Sequence, residues 1–276
     1  TELVQTIEKN EISDENPVEQ DLSDILSESK IDEYDDSTLS FENSLSQSNE
    51  DILVDAEKFI VKFSPIGGQI SSLQLKDHLN YLGDPINLIE SNNSSFNLDF
   101  TTKNGRIFNT KDQKFTPSLI DQGSIKKVSM KLVVSEDVFI GYIYTINLTD
   151  YIINLDISSK GFYNILDTTQ SYNLNWELSA FRNSKSISYE NRYSYLTYYH
   201  DEDKIDYLSI SGEDEDDEED VNWISFKQHF FSSVLISPDE KPFKNVDFKS
   251  EDLVQDNSID TLFTKKFVSK IPFDYI

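Results

Sequence analysis

The chain of 276 residues contains no cysteine, so a disulfide framework, a thiolate metal site and a cysteine nucleophile are all excluded. Histidine occurs three times, at His78, His200 and His229, and none stands two or four residues from another. The usual imidazole spacings for a metal are therefore missing. No run approaches the roughly 20 apolar residues needed to cross a bilayer, and no signal peptide is visible. Walker loops, G-x-G-x-x-G turns and G-x-S-x-G elbows are absent. The first residue is Thr1 rather than methionine, as expected of a fragment.

Positive charge is scarce: 24 Lys and Arg face 51 Asp and Glu, for a net −27. That charge is concentrated in two places. Residues 1 to 57 hold 18 acids and 2 lysines, a net −16, and the run EDEDDEED from Glu213 to Asp220 adds −8. The remainder carries −3. Such a body offers no electrostatic footprint for nucleic acid, and its acidic parts repel nucleic acid and anionic lipid.

Residues 1 to 57 contain no glycine and two aromatics, Tyr34 and Phe41. They cannot bury enough apolar area to offset ordering entropy, which predicts a mostly disordered acidic tether. From Lys58 onward the other 32 aromatics appear and apolar residues alternate with period two. Phe59, Val61 and Phe63 do so, as do Phe96, Leu98 and Phe100, and then Val128, Met130, Leu132 and Val134. Tyr151 to Ile157 and Tyr172 to Leu178 repeat the pattern. Each reads as a half-buried antiparallel strand. No helical apolar stripe is sustained. The fold class predicted is all-β, one large antiparallel sandwich of two sheets over residues 58 to 276.

Three features invite a functional reading. Eight adjacent acids at 213 to 220, after Gly212, suggest a hard-cation loop, but the later glycine and closing Glu of an EF-hand are missing. A solvated hairpin loop over 212 to 220, without structural partners, is the plainer expectation. The stretch SYENRYSYLTYY, read as a strand, places Tyr189, Tyr193, Tyr195 and Tyr199 on one face, which could bind sugars or extended chains. The plainer alternative is an inner sandwich layer. His229, in FKQHFF, reads as a core or sheet-face histidine. No carboxylate pair for acid/base work is identifiable, and no catalytic residue, cofactor site or metal site is assigned.

Residues 59 to 81 join two strands through Pro65 and the pair Gly67-Gly68. Glycine pairs permit positive φ and close strand crossing. As a string, FSPIGGQISSLQLKDHLNY resembles the opening of the large periplasmic domain of the YidC membrane protein insertases. WISFKQHFFSSVLISP, with Trp223, resembles that domain's tryptophan strand pair, and YNLNWEL, with Trp176, its central strand. The three occur in the family's order and span roughly residues 58 to 276, with Gly67, Gly68, Trp176 and Trp223 as structural positions.

The resemblance implies a β-supersandwich similar to galactose mutarotase, on the periplasmic side of the bacterial inner membrane. Residues 1 to 57 would be the tether from a first membrane helix, and a "YFGP" strand and helical connector would follow Ile276. It implies a non-enzymatic accessory domain of the insertase, assisting insertion and folding, with nascent membrane proteins and the Sec translocon or SecDF as partners. The alternative is a carbohydrate-binding or mutarotase-like domain. Limited proteolysis should cut residues 1 to about 55 before it nicks other loops. Protection of that segment at the same protease level would refute the tether.

Overall fold

A computed structural model describes residues 50–273 except 136, 171, 202, 239–240 and 255–261. The tether expected over 1 to 57 lies outside the described residues up to position 49. From Ile52 onward the described chain is almost entirely strand. The first four strands are β1 (Ile52–Asp55), β2 (Phe59–Phe63), β3 (Ile70–Leu79) and β4 (Pro85–Ile89). They form an antiparallel meander. The sheet thus begins before Lys58, inside the segment expected to be tether: Val54 and Ala56 are buried although acids surround them.

Next come β5 (Ser94–Thr101) and β6 (Ile107–Asn109). A second meander of four comes after them, β7 (Thr116–Gln122), β8 (Ile125–Ser135), β9 (Val138–Asn147) and β10 (Ile153–Lys160). The chain then returns through β11 (Tyr172–Phe181), which pairs with β5. A short helix, α1 (Ile187–Tyr193), leads into β12 (Tyr195–His200) and β13 (Lys204–Tyr207). The last strands are β14 (Glu213–Lys227), β15 (Ser232–Ile236), β16 (Phe243–Asp252) and β17 (Phe263–Phe273). The nine-stranded sheet runs β13-β12-β14-β16-β17-β11-β5-β6, with β15 attached to β14.

The period-two reading holds at the side chains that build the core. Phe59, Val61 and Phe63 are buried, as are Val128, Met130, Leu132 and Val134. One continuous apolar cluster draws on all three sheets. The expected two sheets are thus one large sheet and two meanders, because β7 to β10 form a separate excursion between β6 and β11. The segment YNLNWEL is central, with β17 on one side and β5 on the other. WISFKQHFFSSVLISP is the β14–β15 hairpin, with Trp223 opposite Ile236.

The acidic run is a correction. Glu213 to Asp220 is not a hairpin loop but the first half of the fifteen-residue β14, laddered to β16. The ladder sets Glu215 opposite Lys249 and Asp220 opposite Lys244, and Lys249 also pairs with Glu213. Cross-strand opposite charges make tolerable a strand that its own sequence disfavours. Asp216 accepts a hydrogen bond from the hydroxyl of Tyr198, which is 1% exposed. Burial first, and then this carboxylate, raises the Tyr198 hydroxyl well above the ordinary tyrosine range.

A buried charge is Lys265, whose Nζ lies 2.9 Å from Asp252 Oδ1 and donates to Ile210 O at 2.6 Å. It fixes the 208 to 212 turn to β17, since Gly212 N–H also donates to Asp252 Oδ2.

Gly67 and Gly68 have φ of +79° and +62°. A Cβ on Gly68 would stand 2.9 Å from the Phe115 ring, and one on Gly67 would stand 3.0 Å from Lys111 O. The loop is stitched to the segment before β7 by Gly67 N–H to Gln113 O and Phe115 N–H to Pro65 O.

Substitutions at these two places have distinct expected outcomes. Gly68→Val should lower stability by about 2 kcal/mol or more, through left-handed strain and the Phe115 clash, read from urea midpoints. A wild-type midpoint would show a tolerant loop. Asp216→Ala should cost about 1–3 kcal/mol by orphaning a buried hydroxyl, while Glu219→Gln should leave the midpoint unchanged. Equal midpoints for both would mean the acidic strand has no structural partner in Tyr198.

Candidate functional site

The concave feature that stands out is a cleft of about 550 Å³ where the two meanders meet the large sheet. Its walls come from alternating strand positions that face inward. Leu73 and Leu75 of β3, Leu88 of β4, and Ile153 and Leu155 of β10 supply aliphatic surface. Phe96 of β5 and Trp176 of β11 supply aromatic surface. Phe230 and Phe231, with β15, form the remaining wall.

None of the lining residues is Asp, Glu, Lys or Arg. The polar groups present are the hydroxyls of Ser94, Ser232, Ser233, Tyr144 and Tyr151, and the His78 ring. The Tyr144 hydroxyl is taken, donating to Gly68 O at 2.8 Å. Complete burial pushes it well above the ordinary tyrosine range, so it stays neutral.

The cleft depends on two distortions. In β3, Asp77 has φ +62° at an irregularity in the pairing with β4. Such bulges re-aim the following side chain; here His78 meets Phe231 edge-on at 5.4 Å. In β14, the partner on one side changes midway, from β16 up to Val221 to β15 from Trp223. The second half curls over the sheet, so that Phe226 stacks on Trp176 at 3.8 Å although β16 and β17 separate their strands.

The positions singled out from sequence fall in different places. Gly68 supports the cleft floor through Tyr144, Gly67 bonds to Gln113 O beside it, and Trp176 lines the cleft. Trp223 does not: it lies on the outer face of β14, stacked on Tyr199 at 6.0 Å. The four tyrosines do not share a strand face. Tyr189 and Tyr193 belong to α1, capped by the Ser186 side chain, and Tyr195 and Tyr199 to β12. The buried side chains of β12 are Leu196, Tyr198 and His200, so the inner-layer alternative fails as well. Lys227 Nζ bridges the two groups, donating to Tyr193 O at 2.8 Å and lying 4.8 Å from the Tyr195 ring.

His229 is in the tight turn joining β14 to β15 rather than in a strand. Its ring stacks on Phe230 at 3.8 Å and on Tyr193 at 5.0 Å, and its Nδ1 is 2.8 Å from Ser184 Oγ. His200 is 3% exposed, with Nδ1 at 3.3 Å from Glu218 Oε2. His78 and His229 border one shallow pocket, and no group of three potential ligands that could hold a metal occurs among the described residues. Sequence reasoning missed His78, Phe96 and the Phe230-Phe231 pair as cleft residues. The Phe-Phe doublet after a charged and polar run was the one visible signal.

A family model described as the YidC periplasmic domain matches residues 51–270. The chain is 33% identical over 189 residues to the membrane protein insertase YidC of Phocaeicola vulgatus, covering 67% of this chain and 30% of that protein. It is 30% identical over 216 residues to YidC of Parabacteroides distasonis, covering 78% and 33%. The chain thus spans about a third of the length of these curated relatives. A solved structure, a 4-alpha-glucanotransferase from Thermococcus litoralis, aligns over 83% of this chain and 36% of its own at 10% identity and a TM-score of 0.39, too slight a likeness to argue from. The family match begins at residue 51, beside the first strand, and takes in every strand that builds the cleft: the chain belongs to the YidC membrane protein insertase family, of which it carries the periplasmic domain.

Proposed function

We propose that this domain is an extracytoplasmic accessory module of a membrane insertase that receives apolar segments of emerging membrane proteins in the cleft. The observation that carries the reading is the contrast in charge. A chain of net −27 encloses a cleft of about 550 Å³ whose lining includes no charged side chain. An apolar concave surface favours ligands that lose little on leaving water. The aromatic walls, Phe96, Trp176 and Phe231, offer large contact area at low ordering cost.

The reading takes in the docking role toward the Sec translocon or SecDF that the family resemblance implies. It is favoured over a mutarotase-like enzyme because the cleft holds one imidazole, His78, and no carboxylate. A histidine–glutamate pair for proton transfer has no place there.

The test uses the full-length insertase. A photoreactive residue at Phe96 or Phe230, both lining the cleft, should form adducts with a membrane protein during insertion. A probe at Leu119, exposed on β7 outside the cleft, should not. Absence of adducts from both cleft positions, or equal labelling from Leu119, would overturn the proposal.

A further inference from the structure

We propose that the cleft takes its occupant as an added β-strand along the open edge of β15, and that the occupant is an extended, uncharged, apolar peptide segment. This rests on the reading above and names how the cleft would hold a chain. Among the described residues, strand β15 pairs only with β14. The alternation of the ladder says which groups are left over. Gln228 N–H donates to Phe231 O at 2.7 Å and Ser237 N–H to Asn222 O at 2.8 Å. With the register Phe226 to Ser233 and Ile224 to Leu235, the residues bonded to β14 are 231, 233, 235 and 237. The N–H and C=O groups of Ser232, Val234 and Ile236 therefore point away from β14, and no described strand lies on that side.

Open edges are ordinarily blunted, because unpaired backbone groups recruit other chains. The other edges of this protein follow the rule. Edge strands β1, β4, β7, β10 and β13 carry Asp55, Pro85, Pro117, Lys160 and Lys204 respectively, and β6 has three residues. The sequence of β15, SSVLI, has neither charge nor proline. Val234 and Ile236 are 48% and 65% exposed. The unblunted edge also borders the uncharged cleft, which Ser232, Ser233, Val234 and Leu235 line. A strand laid there would satisfy the backbone groups of β15 while alternate side chains enter the cleft, the arrangement of peptide recognition by strand addition. A charged segment is disfavoured, since the lining holds no counter-charge for it.

The experiment uses the 276-residue chain and a fluorescein-labelled, uncharged peptide of alternating valine and threonine. Binding is read by anisotropy, and backbone pairing by amide exchange at Ser232, Val234 and Ile236. The peptide should bind and slow exchange at those three amides. The same peptide N-methylated at alternate residues, which cannot pair along one edge, should bind about tenfold more weakly or not at all. Val234→Pro removes an outward N–H that the β14 ladder does not use, and should weaken the unmodified peptide by a similar factor. If that variant fails to fold, the N-methylated peptide on the wild-type chain decides.

Equal binding of the methylated and unmethylated peptides, or binding without amide protection, overturns strand addition. It leaves the cleft reading to be judged by crosslinking. No binding of either peptide also overturns the inference. Concentration-dependent self-association that Val234→Pro abolishes would identify the occupant as a second copy of this chain and overturn it in favour of a dimer.

Discussion

The three sheets are tied together at one buried polar junction around the Gly67-Gly68 loop. Tyr144, from the second meander, donates to Gly68 O in the loop of the first. Gln69 reaches the large sheet by accepting from Phe96 N–H at 2.8 Å. Tyr142 donates to Thr110 Oγ1 at 3.1 Å, and the same oxygen accepts from Leu98 N–H at 2.9 Å. Each sheet thus presents a backbone or hydroxyl group that the others satisfy. Apolar packing would hold the layers together in many relative positions; these bonds select one. The positive φ of the glycine pair is what brings the loop backbone within reach of Tyr144.

The cleft is a consequence of that arrangement. It lies where the meanders meet β5 and β11, with Phe96 on its wall and Trp176 covered on one side by Phe226. The β14 curl then closes one side with Phe230 and Phe231. Packing at the junction and openness at the cleft are two ends of the same geometry. The surface charge is kept out of both: the acidic half of β14 is matched with Lys244 and Lys249 on β16, at the other end of that strand from the cleft hairpin.

Much of the fold was legible because half-buried strands write their burial into alternation. Val128 to Val134 and Phe59 to Phe63 could be assigned from residues alone, and so could the strained glycine pair. The acidic strand could not. Its support comes from Lys244, Lys249 and Tyr198, which the chain brings alongside only after folding. Helix α1 was hidden by its length of seven residues, although Ser186 offered a cap. The turn at His229 and Phe230 lacks the glycine, asparagine or proline that usually marks one, so it read as strand. The cleft was invisible for a different reason: it is lined from all three sheets, and no local pattern records a meeting of distant elements.

The position of β11 bears on when this domain can fold. Its partners lie far away in the chain: β5 ends at Thr101, and β17 sets Phe273 opposite Tyr172. Pairings between such distant segments carry a large loop-closure cost and form late. A chain delivered across a membrane from its N-terminal end could assemble the two local meanders early. The central strand would wait, one edge bare, until the last strand had emerged. Export and closure of the large sheet are therefore coupled in time, and the interval between them is when this domain itself most needs shielding from other unfolded chains.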